Sequence, residues 1–177
     1  EQVRDTRVIC AMEQIYADFF PETQISYPVI FARFIGAMLL GAVIGLERER
    51  KQRPAGLKTH ILVSLAAALF AIISIESVHM PGLGDDQVKI DPLRVVEAVT
   101  AGVAFLAAGT IVLSRGEVQG LTTGASLWLA GAIGLALGFG HWLIAGFAVA
   151  AAFTVLTVLG WFDSRDAPPV VEDDKRE

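Results

Sequence analysis

Five stretches of this chain, residues 29–46, 60–78, 95–113, 121–139 and 142–162, contain only three charged residues between them: Arg33, Glu76 and Glu97. Each is 18 to 21 residues long, which is what a helix needs to cross a hydrocarbon core of about 30 Å. The other charges gather between and beyond these stretches. The chain therefore has 19% charged residues beside 54% hydrophobic ones, with a mean hydropathy of +0.56. A soluble domain interleaves about a quarter of charged residues with its apolar ones, so a soluble fold is excluded. A membrane β-barrel needs alternating segments of about ten residues and is excluded as well. The net charge of −5 argues against a nucleic-acid partner. The expected fold class is all-α: a polytopic membrane protein with five transmembrane helices in residues 28–162.

The loops orient it. Lys and Arg are enriched on the cytoplasmic side of short membrane loops. Arg48, Arg50, Lys51, Arg53, Lys58, Arg115, Arg165, Lys175 and Arg176 would share one side, and Arg4, Arg7, Lys89 and Arg94 the other. This places the N-terminus outside and the C-terminus in the cytoplasm of a bacterial inner membrane. In residues 1–27, Val8, Met12, Ile15 or Tyr16, and Phe19 recur at helical spacing, so an amphipathic helix is expected on the outer side. Residues 163–177, with Pro168, Pro169 and an acidic run, are expected to be a disordered cytoplasmic tail. Cys10 is the one cysteine, so no internal disulfide can form.

Helices in lipid associate by close packing, which small residues four apart allow. Such stripes occur at Ala37, Gly41 and Gly45, at Ser126, Ala130, Gly134 and Gly138, and at Gly146, Ala150 and Thr154. The second is the longest and places its helix at the centre. Gly138 and Gly140 permit a tight turn before residue 142. Arg33 and Glu97 would lie at similar shallow depth and are expected to form an intramembrane pair, with Glu76 as the competing partner and snorkelling of each charge to the headgroups as the alternative. No Asp, Glu, Lys, Arg or His occupies the middle of any span, where an ion carrier usually needs one.

Gly56-Leu57-Lys58-Thr59 is echoed by Gly120-Leu121-Thr122-Thr123, and in the same register Leu65-Ala66 is echoed by Leu129-Ala130. Two parallel helical-hairpin repeats plus a fifth helix are the simplest reading. The run Gly41–Arg48, then Gln52-Arg53-Pro54-Ala55-Gly56-Leu57-Lys58-Thr59-His60, resembles the signature of the MgtC/SapB family, as do residues 102–111 and Gly120–Thr123. The third-span pattern differs in having Ala104 and Ala107 where the family usually has glycine, and Gln119 stands where an arginine is common. The resemblance implies a bacterial inner-membrane protein of this topology, tied to adaptation to low magnesium and, in pathogens, to virulence. For better-studied members it implies regulation by binding another membrane complex such as the F-type ATP synthase. The alternative is a magnesium or other small-ion transporter.

The functional motif is expected at the cytoplasmic face: Glu47, Arg48, Arg53, Gly56, Thr59, Gly120, Thr122 and Thr123. Helix N-termini carry unpaired N–H groups and favour anions. With Thr59 and Thr123 as N-caps and basic residues nearby, the two turns would form an anion pocket filled by Glu47, a lipid phosphate or a small phosphate ligand. A capped turn with solvated basic residues is the plainer alternative. Glu47 is expected to pair with Arg53 or with a basic residue of the other hairpin; spacing also allows Glu47–Lys51 and Glu49–Arg53 pairs. Asp85, Asp86 and Asp91 lack the spacing of a cation site, and no catalytic set, metal cluster or cofactor motif is visible. The chain is therefore expected to be no enzyme and to need no cofactor. Its expected partners are the lipid bilayer and another membrane protein, with homo-oligomerisation left open.

Overall fold

The computed structural model describes residues 21–78, 91–114 and 117–159, together with Met12, Tyr16 and Phe19. Most of the expected amphipathic helix, Cys10, Asp85, Asp86, Arg115 and the tail 163–177 lie outside the described residues. Met12, Tyr16 and Phe19 are helical and exposed.

The described chain is mostly helical: α1 (Tyr27–Arg50), α2 (Leu57–Val78), α3 (Pro92–Ala108), α4 (Leu121–Gly138) and α5 (Trp142–Thr154), the last continued by a π-helical turn, Val155–Leu159. α1, α2 and α4 are long and apolar enough to cross a membrane, and α5 with its extension is a shorter apolar helix. Local chemistry sets the boundaries. Pro28 lies in the first turn of α1 and Arg48 and Arg50 in its last, as the helix dipole favours. Asp91 caps α3, its Oδ1 accepting from Leu93 N at 2.9 Å. Gly140 takes a φ of 85° between α4 and α5, making the tight turn expected there.

α3 ends at Ala108, short of the expected residue 113, because Thr110, Ile111 and Val112 form a β-branched run that prefers extended backbone. A two-stranded antiparallel ribbon follows, β1 (Val112–Ser114) against β2 (Glu117–Gln119), with Leu113 opposite Val118. This short ribbon is a local interruption of an otherwise helical architecture, which agrees with the expected all-α membrane class.

The packing inverts that of a soluble protein. Ala37, Ala68, Ala71 and Ala130 are fully buried, while Phe105, Leu143 and Phe147 point outward. Where lipid is the solvent, large side chains gain little by facing inward, and small ones let backbones meet. The antiparallel α1 and α2 meet this way: a Cβ on Gly45 would come within 2.7 Å of Leu57 Cα. α4 touches every other helix, as its long stripe predicts. Gly134 and Gly138 lie against Ser64 O and Ala68 O of α2, which runs parallel to α4. On another face, Gly124 and Gly131 meet Ala107 and Val103 of the antiparallel α3. Trp142, at the start of α5, sits on Gly36 of α1.

Candidate functional site

Three helix ends converge on a buried polar cluster at the end of the bundle that holds the α1–α2 turn. α1 supplies Glu47 and Arg48 in its last turn, α2 supplies His60 in its first, and α4 supplies Thr123 and Ser126. All five are buried, His60 completely. The close approaches at Gly41 and Gly45 bring α1 onto the His60 backbone and side chain, so the polar groups lie where the helices are already in contact.

Arg48 Nη2 donates to Thr123 Oγ1 at 3.1 Å, joining α1 to α4. His60 Nδ1 lies 2.8 Å from Gly56 O and Nε2 lies 3.1 Å from Ser126 Oγ. A carbonyl can only accept, so Nδ1 carries a proton. The Ser126 hydroxyl is also 2.9 Å from Thr123 O, and its single proton can go to one partner at a time. Glu47 Oε1 pairs with Lys51 Nζ at 2.6 Å, and Lys51 donates to Leu156 O at 2.7 Å, so the end of α5 is tied to α1. Glu47 Oε2 and Arg48 Nε have no hydrogen-bond partner among the described residues. The adjacent opposite charges keep the cluster close to neutral, which limits the cost of burying them.

The expected motif therefore divides. Glu47, Arg48 and Thr123 come together, whereas Arg53, Thr59 and Thr122 are exposed and do not join them. Arg53 contributes its backbone N–H to Arg48 O, and Glu47 takes Lys51 in its place because the i,i+4 spacing on one helix brings that ammonium over the carboxylate. Neither threonine is an N-cap. At α2 the cap is Glu49, whose Oε2 accepts from Leu57 N at 2.7 Å; Gly56 leaves room for it, since a Cβ there would come within 2.7 Å of the same oxygen. The anion seen at this helix N-terminus is the chain's own Glu49, where Glu47 was one of the candidates. At α4 the cap position is Gly120, with φ 90° and no side-chain cap. Its missing Cβ would collide with Thr110 O.

The expected Arg33–Glu97 pair does not form. α4 stands between α1 and α3, so Arg33 reaches α4 instead, donating from Nη1 to Gly138 O at 2.6 Å. That carbonyl is at the negative end of the helix dipole. Glu97 is exposed. Glu76 accepts from Gln24 N and Ile25 N at 2.9 and 3.1 Å, fixing the segment that leads into α1. Sequence reasoning missed His60 as a member of the cluster. Its signal was the stripe His60, Ser64, Ala67, Ala71 at helical spacing, all buried on α2. Ser126 was visible as the first residue of the α4 stripe. Among the described residues no group of three His, Cys, Asp or Glu side chains could hold a metal ion.

Comparison with known proteins gives this arrangement a family. The chain is 36% identical over 131 residues to Escherichia coli K12 YhiD, covering 72% of this chain and 60% of that one. It is 38% identical over 121 residues to Salmonella typhimurium MgtC, covering 68% of this chain and 47% of that one. An uncharacterized Haemophilus influenzae protein is 37% identical over 113 residues, covering 63% of this chain and 48% of that one. The chain thus spans about half the length of these relatives. No solved structure matches it. The MgtC family profile matches residues 34–165, a stretch that begins within α1, runs through α5 and takes in every residue of the buried cluster, and the chain belongs to the MgtC family.

Proposed function

We propose that this membrane protein serves adaptation to low magnesium, and virulence where its host is a pathogen, by binding and regulating another membrane complex rather than by catalysing a reaction. The F-type ATP synthase is the partner to test first. In this reading the chain crosses the bacterial inner membrane five times, N-terminus outside and C-terminus in the cytoplasm. α1–α2 and α3–α4 form two parallel hairpins with α5 added. The parallel course of α2 and α4 supports the repeat, and the excess of Lys and Arg on one side supports the orientation. The buried Glu47–Arg48–His60–Thr123–Ser126 cluster then faces the cytoplasm, holding three helix ends in register beneath a basic, exposed α1–α2 turn.

The observation that carries the regulatory reading is the packing at mid-bundle. Gly131 and Gly134, in the interior of α4, bring it onto Val103 of α3 and the backbone of α2, and the ionisable groups of the cluster lie at one end. A cation path usually needs ionisable groups at depth, and the buried polar groups further along α2 are the hydroxyls of Ser64 and Ser74. The second reading, a magnesium transporter, is favoured by the provisional naming of the Escherichia coli relative as one. Affinity purification from gently solubilised, low-magnesium cells tests the first reading. Stoichiometric ATP synthase subunits, reduced by charge reversal of the exposed Arg53 and Lys58, are expected; their absence after in-cell crosslinking would contradict that partner.

A further inference from the structure

A groove of about 660 Å³ runs between α2 and α3, on the side of the bundle away from α1. Leu62, Ala66 and Phe70 of α2 and Arg94, Ala98 and Gly102 of α3 line it, and Arg94 is the one charged residue in its wall. Gly102 is the telling position. Gly41, Gly45, Gly134 and Gly138 each press on a neighbouring helix, but a Cβ on Gly102 would meet nothing within 4 Å. This glycine hollows the wall instead of closing a helix contact.

The dimensions suit one kind of occupant. From Arg94 to Leu106, the groove's length along α3, twelve residues at about 1.5 Å each give about 18 Å. One leaflet of hydrocarbon is about 15 Å deep, half of the full core. Arg94 is in the first turn of α3, at the end of the groove where a headgroup would lie. It is exposed, and its guanidinium has no hydrogen bond or ion pair among the described residues. Glu97, one turn further on, is not part of the groove wall. An apolar channel one leaflet long, with a guanidinium at its mouth that no described residue pairs, matches an acyl chain attached to a phosphate.

We propose that the α2–α3 groove is a binding site for a phospholipid, one acyl chain lying along Ala66, Ala98 and Gly102 and the phosphate paired with Arg94. The site requires only that the helices lie in a bilayer, so it stands or falls separately from the regulatory function above. A transmembrane helix of a second copy would compete for the same groove, but the apolar face of such a helix would supply no anion to Arg94.

The test is lipid retention. Full-length protein is purified in mild detergent and examined by native mass spectrometry, then stripped and titrated with phosphatidylglycerol. Wild type is expected to hold about one phospholipid per chain. Gly102→Leu, which fills the groove, and Arg94→Gln, which removes the phosphate partner, should each lower occupancy at least fivefold while the helical circular dichroism is unchanged. If Gly102→Leu gives no folded protein, Arg94→Gln decides alone. Unchanged retention in a folded variant would overturn the proposal. So would an efficient disulfide between two copies of Gly102→Cys in native membranes, because a second chain would then fill the groove.

Discussion

The two glycine-leucine turns share three of four residues, yet they end in different chemistry. At Gly56–Thr59 the turn is open: Glu49 reaches over the glycine to cap α2, and Thr59 faces outward. At Gly120–Thr123 the turn is closed: Gly120 is forced into a left-handed conformation against Thr110, and Thr123 is buried beneath Arg48. The difference follows from position in the bundle. α2 starts at an exposed loop and turns Thr59 outward, whereas α4 touches every other helix and turns Thr123 of its first turn toward α1. A repeated motif can therefore fix a local backbone shape twice and still assign the same side chain two unlike tasks.

Substitutions at matched positions should expose this asymmetry. Gly120→Ala has the largest expected effect: left-handed backbone strain alone costs about 1–3 kcal/mol, and the methyl group would also strike Thr110 O. Thermal unfolding in detergent should show a large fall in midpoint or no folded protein, while Gly56→Ala, whose obstacle is the movable Glu49 carboxylate, should fall much less. Thr123→Val leaves Arg48 Nη2 buried without its acceptor, for a loss of about 1–3 kcal/mol. Equal midpoints for Thr123→Val and Thr59→Val would erase the distinction between the turns. Glu49→Ala removes the α2 cap and should cost about 1 kcal/mol; hydrogen exchange at the first turn of α2 should rise, with α4 unaffected. Thr59→Val, at an exposed position, should change stability by less than about 0.5 kcal/mol.

Much of the architecture could be read from the chain because lipid imposes simple rules. Apolar length located the helices, and the Ser126–Gly138 stripe located the central one, since only small residues allow approach on several sides. The helix after Asp91 was shorter than its apolar run, because apolarity cannot separate helix from the extended Thr110–Val112 segment that follows it. Charged contacts were the least legible. Depth arguments matched Arg33 with Glu97, but α4 intervenes, and a carbonyl at its C-terminus took the guanidinium. Glu47, Arg48 and Thr123 were visible as motif residues. Their linkage to His60 and Ser126 depended on helix rotation, which no single sequence stretch records.

The proposed regulatory function rests on the contrast between a packed interior and a polar, exposed turn, and it requires action by contact and not by conduction. Purified protein reconstituted alone into liposomes loaded with a magnesium-sensitive dye measures this most directly. The account predicts magnesium entry no faster than in protein-free liposomes. Rapid, saturable entry selective for magnesium over calcium would contradict it.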